Sequence, residues 1–398
     1  MAQIEIEPFQ ANDPVSSSYS EAGIERIAAK DITYSEFFTR FMRPNRPVIL
    51  TSIAQNWECF NHWIDRSVDP SQLDVQYLKS KLPNLSVPVA DCETQRYNAH
   101  EKLEVKLYDF LDSWQSPSEN SKRGRYYLKD WHLRSMVPEY GFYETPHFFA
   151  SDWLNEYLLE RGLDDYRFVY IGAKGTWTAF HADVFGSYSW SVNIGGRKLW
   201  YFLPPSEEQK LADCWRNLPF RVTERSLQDA GVKFYAVQQQ PGEAVFVPTG
   251  WYHQVLNVED AISVNHNWFN GCNVATLWRN LRSALCDVRR EIDDCRDMEN
   301  FDEHCQLMLK ASFGMNYADF FAIIYHIGDK RLKWLKDDGV EMKQYHYTMG
   351  RHHAVFDLVS IANLLSEVVE LNHLASYREM QNTVASYLER IKQAIASV

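Results

Sequence analysis

The chain has 398 residues, with 41 Lys and Arg against 53 Asp and Glu, a formal net charge of −12. Hydrophobic residues at 45% and charged residues at 24% suit a chain with a core of its own and exclude wholesale disorder. The acidic balance weighs against direct nucleic-acid binding, which needs a basic face.

The start, Met1 to Glu7, alternates acidic with apolar residues and lacks the basic and apolar regions of a secretory signal. Ala2 stands where myristoylation needs Gly. Apolar runs such as Phe320 to Tyr325 are too short to span a bilayer. Seven Cys residues, none in a CxxC, fit a reducing compartment, the cytoplasm or the nucleus. The expectation is a protein without a membrane span.

In chain order, residues 1–23 are polar and Ser-rich and predict a flexible arm. Thr33-x-x-Glu36 forms a capping box ahead of Phe37, Phe38, Phe41 and Met42, which predicts a helix with a buried face. Arg46 to Leu50 reads as a strand, and Ser116 to Arg125 as a surface loop. From about 168 to 268, short strands punctuated by Gly and Pro predict a β-sandwich or barrel. After Asn270-Gly271 the period turns helical. Leu277, Leu281, Leu285, Val288 and Ile292 mark one helix face, and Val355 to Leu371 a second. The expected organisation is an arm over 1–23, supporting α/β elements over 24–150, a β core over 151–270 and a helical region over 271–398.

Chemistry concentrates in that core. In Thr176 to Asp183, His181 and Asp183 are two residues apart, so on an extended segment they share a face. An imidazole and a carboxylate so placed are two ligands of a two-His-one-carboxylate site of the kind that non-haem Fe(II) oxygenases use. Alone, an HxD pair is weak, and a structural His is the ordinary reading. The segment Pro241 to His253 adds what the pair lacks: a turn, an apolar strand, a Pro-x-Gly turn and a His that opens the next strand.

Between them, Tyr188, Trp190, Val192 and Ile194 alternate with Ser189, Ser191 and Asn193, and Gly195-Gly196 signals a two-residue hairpin. Such a hairpin would set Lys198 opposite Asn193, on the small polar face. A Lys turned into a barrel there needs an anion, and a dicarboxylate would supply it; a solvated Lys is the other reading. In Ala261 to Trp268, Ser263, Asn265 and Asn267 share a face, which leaves His266 on the opposite, core side.

HAD at 181–183, GGRK at 195–198, Pro204-Pro205, PTGWYH at 248–253 and NHNW at 265–268 resemble the JmjC branch of the cupin superfamily. LKDWHL at 128–133, SDWLNEY at 151–157 and DDYRFVYIG at 164–172 extend the resemblance over roughly residues 30 to 330. It implies a mainly β core with helices, a double-stranded β-helix (jelly roll) flanked by N-terminal helices and a C-terminal helical region. It also implies a dioxygenase using Fe(II), 2-oxoglutarate and O2, with His181, Asp183 and His253 as catalytic iron ligands. Lys198 and Thr178 match the groups that hold the distal carboxylate of 2-oxoglutarate. Ser191 stands where relatives often have Asn, and Asn265 where some have Thr; these two and Tyr97 are the further candidate cosubstrate contacts that the resemblance implies.

Within the family, the resemblance implies a lysyl hydroxylase acting at C4 of a lysine in eukaryotic translation release factor one, hence a role in translation termination. A JmjC lysine demethylase and a non-catalytic jelly-roll interaction protein are the competing readings. The C-terminal helices are a candidate homodimer face. Cys286, Cys295, His304 and Cys305 fit no zinc spacing, and His352-His353 reads as a surface pair.

Overall fold

The computed structural model describes residues 3–8, 23–68, 71–114, 125–336 and 342–396. The predicted loop over 116–125 falls almost entirely outside the described residues, as does most of the predicted arm. The arm's first residues are placed, however. Gln3–Ile4 pairs in parallel with Thr348 and Met349, and Ile4 and Ile6 are buried. The alternation of Ile with Glu there is a strand pattern, which anchors this end of the chain.

Two sheets face each other and hold the site between them. The strands are β1 (Glu25–Ala28), β2 (Val48–Thr51), β3 (Ser86–Arg96), β4 (Ala99–Lys106), β5 (Tyr126–Trp131) and β6 (Arg167–Gly172). They continue as β7 (Tyr188–Gly195), β8 (Lys198–Leu203), β9 (Tyr235–Gln239), β10 (Ala244–Val247), β11 (Tyr252–Asn257) and β12 (Ala261–Trp268). The large mixed sheet runs β1-β2-β10-β7-β12-β6-β5-β3-β4, and the small one β9-β8-β11. Strands β1 to β5, all before residue 151, are therefore continuous with the large sheet that carries part of the site.

The expected hairpin at Gly195-Gly196 is not formed. β7 pairs with β10 and β12 in the large sheet, whereas β8 pairs with β9 and β11 in the small one. The two glycines turn the corner between sheets. Gly196 has φ +68, and a Cβ there would lie 1.9 Å from the Asp260 carbonyl oxygen, so only glycine lets the chain cross at this point. The face assignment survives the wrong pairing. Tyr188, Trp190, Val192 and Ile194 are buried in the outer core with Phe149, Phe246 and Trp268, while Ser189 and Ser191 turn inward.

The N-terminal capping box is present: Thr33 Oγ accepts from the Glu36 amide, and Glu36 accepts from the Thr33 amide. The short helix it starts, Tyr34–Phe37, widens into a π-helical turn over Phe38–Met42 and buries Phe37, Phe38, Phe41 and Met42. Beyond the sheets lie α1 (Trp153–Glu160), α2 (Val274–Glu291), α3 (Phe301–Phe313), α4 (Tyr317–Lys336), α5 (Arg351–Glu370) and α6 (Arg378–Ala396). Leu277, Leu281, Leu285 and Val288 face inward on α2, as their spacing predicts. The helices share a second core, and helix at 42% exceeds strand at 25%. The chain is thus a large mixed sheet with C-terminal helices, as expected of a β core flanked by helices, and helix is its larger component. Among the described residues no helix is long and apolar enough to cross a membrane.

A buried ionic cluster ties α1, α4 and α5 together. Arg331 on α4, fully buried, donates to both carboxylate oxygens of Glu156 on α1 (2.9 and 3.0 Å) and to Asp357 on α5 (2.8 Å). His353, one turn before Asp357, is buried against the Tyr34 hydroxyl at 2.7 Å. His352-His353 is therefore not a surface pair. Adjacent helical residues point about 100° apart, so His352 faces solvent and His353 the core.

Candidate active site

Residues 177–181 run antiparallel to β11, with Trp177 opposite Leu256 and His181 opposite His253. The backbone bonds are reciprocal: His181 N–H donates to the His253 carbonyl (3.0 Å), and His253 N–H donates to that of His181 (2.7 Å). Directly opposed residues share a face, so the two imidazoles stand side by side, ring centroids 4.4 Å apart. Asp183, two residues on, joins them as the spacing predicts. One ligand atom from each of the three lies within 4.8 Å of the others.

The proton positions follow from the carbonyls. His181 Nδ1 lies 2.8 Å from the Ala179 oxygen, and His253 Nδ1 lies 2.9 Å from the Trp251 oxygen. A carbonyl only accepts, so each Nδ1 carries the hydrogen and each Nε2 keeps a lone pair for a metal. Burial, then the neighbouring His253, holds His181 well below the ordinary imidazole value, so its ring is neutral. The carboxylate is fixed from two sides. Ser189 Oγ donates to Asp183 Oδ2 (2.7 Å), and Asn267 Nδ2 donates to Oδ1 (2.9 Å). Ser189 and Asn267 are direct cross-strand partners on β7 and β12.

The cavity beside the cluster is lined by both sheets, with Thr178, Ser191, Lys198 and Asn265 among its walls. Lys198 is 2% exposed. Its Nζ donates to Ser263 Oγ (2.7 Å) and the Tyr127 hydroxyl (3.4 Å), and burial pushes its ammonium down to about 7. No carboxylate among the described residues pairs with it. Ser191 Oγ is buried without a hydrogen-bond partner. Thr178 Oγ accepts from the Val255 amide (3.0 Å), which leaves its own hydrogen to donate. Asn265 Nδ2 donates to Ser263 Oγ (3.0 Å). A buried ammonium without a counter-ion, flanked by hydroxyls, is costly unless an anion meets it.

Tyr97 is not part of this cavity. It sits at the β3–β4 turn with φ +55 and is 90% exposed, because the turn's left-handed residue directs its side chain to solvent. His266 is a core residue: it is fully buried, with its Nε2 2.7 Å from the Tyr143 hydroxyl. Sequence reasoning missed Tyr127, Lys129 and Tyr170, which line the cavity from β5 and β6, and gave Ser189 and Asn267 no task. The i, i+2 pairs Tyr127/Lys129 and Ser189/Ser191 carry the face information. Which face is inner depends on distant strand partners.

A family model for the JmjC domain, described as a hydroxylase, matches residues 168–268. A Drosophila melanogaster protein named 2-oxoglutarate and iron-dependent oxygenase JMJD4 homolog is 43% identical over 378 residues, covering 87% of this chain and 88% of its own length. The chain belongs to the JMJD4 group of JmjC oxygenases. The Danio rerio JMJD4 oxygenase is 38% identical over 418 residues, covering 98% of the chain and 96% of itself, so the likeness reaches the C-terminal helices. An Arabidopsis thaliana protein named arginine-specific demethylase JMJ20 is 37% identical over 320 residues, covering 75% of the chain and 68% of itself.

Iron and 2-oxoglutarate are the cofactors of this oxygenase group, and the residues present fit both. His181, Asp183 and His253 would hold the metal and leave positions open. Lys198, with the orphaned Ser191 hydroxyl and Thr178 nearby, would hold a carboxylate. When bound, the pair supplies oxidative decarboxylation coupled to C–H hydroxylation.

Proposed function

We propose that this JmjC oxygenase is a protein lysyl hydroxylase that acts in the cytoplasm on C4 of a lysine in the stop-codon-reading domain of eukaryotic translation release factor one. The observation that carries the reading is the near-full-length similarity to JMJD4 oxygenases, together with an uninterrupted His181–Asp183–His253 cluster beside a buried Lys198. In the balanced reaction one substrate C–H, one 2-oxoglutarate and one O2 give C–OH, succinate and CO2. The chain's own groups bind and orient. Lys198 fixes the cosubstrate's far carboxylate, Ser189 and Asn267 hold Asp183 in one rotamer, and the two backbone carbonyls fix the imidazole tautomers.

Recombinant release factor is incubated with the protein, Fe(II), ascorbate and 2-oxoglutarate, beside a His181→Ala control, and its peptides are analysed by mass spectrometry. One oxygen gained on a lysine, absent in the control, supports the proposal. No gain while 2-oxoglutarate is slowly consumed rejects the substrate and keeps the enzyme class. N-methyl demethylation is the second reading, favoured by the name of the Arabidopsis relative. It would instead remove a methyl group as formaldehyde.

A further inference from the structure

Lys129 is a cation at the reacting end of the cavity that nothing so far employs. It lines the same space as His181 and Asp183. Its side chain is only 20% exposed. The nearest carboxylate, Asp130, is 3.9 Å away and already engaged, taking Lys102 Nζ at 2.8 Å and the Tyr170 hydroxyl at 2.7 Å.

The backbone here departs from a regular strand. The register of β5 against β6 shifts between Leu128 and Trp131, and Asp130 has φ +59. Bulges of this kind re-aim side chains beside active sites. Tyr127 and Lys129, two residues apart, both face the cavity by strand alternation, and the irregularity beyond them sends the Asp130 carboxylate to Tyr170 and Lys102.

Tyr127, two residues before Lys129, touches Lys198. Lys198 thus reaches the cavity beside the Tyr127 hydroxyl, and Lys129 enters the same cavity two residues further along β5, where His181 and Asp183 also line it. A five-carbon dicarboxylate is roughly 5 Å between its terminal carbons. Such a ligand carries one carboxylate for each of the two lysines that line the cavity.

We propose that Lys129 is the second carboxylate-binding group of the cavity: it pairs with the 2-oxoglutarate carboxylate nearest the His181–Asp183–His253 cluster while Lys198 pairs with the far one. The inference rests on the cosubstrate reading of the cavity and is independent of which protein is hydroxylated.

The test is equilibrium binding to Mn(II)-loaded protein without oxygen, using 2-oxoglutarate and 2-oxopentanoate, which keeps the 2-oxo acid end and lacks the far carboxylate. Lys129→Met and Lys129→Gln should each weaken both ligands about tenfold or more, the scale of one charged hydrogen bond. Lys129→Arg should stay within about threefold of wild type. Lys198→Met should weaken 2-oxoglutarate and leave 2-oxopentanoate unchanged. Thermal midpoints of the unliganded variants, and their Mn(II) affinities, separate folding and metal loss from ligand loss. Wild-type affinity for both ligands in the neutral Lys129 variants overturns the proposal. So does weakening of 2-oxoglutarate alone, or a rise only in the KM for the protein substrate. None of these results would bear on the release-factor assignment.

Discussion

Cosubstrate binding should weaken as pH rises through neutrality, because the Lys198 ammonium is pushed down to about 7 by burial in the unliganded cavity. The sign is fixed by charge. A dicarboxylate selects the protonated lysine, so above that value binding must first take up a proton. Relative to the fully protonated limit, linkage gives an apparent dissociation constant raised about twofold at pH 7, about elevenfold at pH 8 and about a hundredfold at pH 9. Across that range 2-oxoglutarate is already a dianion, and His181 is neutral because burial and His253 hold it low. Calorimetric or fluorescence titration with 2-oxoglutarate, on Mn(II)-loaded protein from pH 6 to pH 9, reads the slope directly. Lys198→Met should bind weakly with the slope above pH 7 abolished. A flat wild-type profile, or the same slope in the variant, would refute the role given to this lysine.

Three further outcomes follow from the geometry. Asn267→Ala removes one of the two donors on Asp183 and should lower metal affinity by about 10–100-fold, measured by Mn(II) competition, while the fold is retained. His181→Ala or Asp183→Ala should abolish turnover and still give a folded protein by circular dichroism, since both sit at the partly open end of the cavity. Arg331→Met takes from the buried Glu156 and Asp357 the guanidinium they share, leaving Glu156 to Lys330 and Asp357 to the Trp153 indole, and should destabilise the chain by about 3 kcal/mol in chemical denaturation. A loss below about 1 kcal/mol would show that the cluster does not hold α1, α4 and α5 together.

The site was legible where chemistry follows local period. His181 and Asp183 meet because i and i+2 on an extended segment share a face, and His253 arrives because a turn–strand–turn pattern returns it to the next strand. Lys198 was placed on the correct face through an incorrect hairpin. Alternation alone separated Ser189 and Ser191 from the large apolar set, whereas the corner at Gly196 depends on the carbonyl of Asp260, 64 residues away. What stayed hidden depends on distant partners. Lys129 shares a face with Tyr127 by alternation, but that this face is the inner one is settled only when β5 pairs with β6. Arg331 and His353 look exposed in a polar helical pattern and are buried only because α1, α4 and α5 meet. Tyr97 failed for the converse reason: motif matching cannot see a left-handed turn residue.

One cavity should hold both the iron, on His181, Asp183 and His253, and the 2-oxo acid beside it. Anaerobic visible absorption tests it most directly. Fe(II) and 2-oxoglutarate added together should produce a charge-transfer band that neither gives alone and that His181→Ala and Asp183→Ala both lack. A band of undiminished intensity in those variants, or none in the wild-type protein with iron bound, would mean that iron and the 2-oxo acid do not meet at these residues.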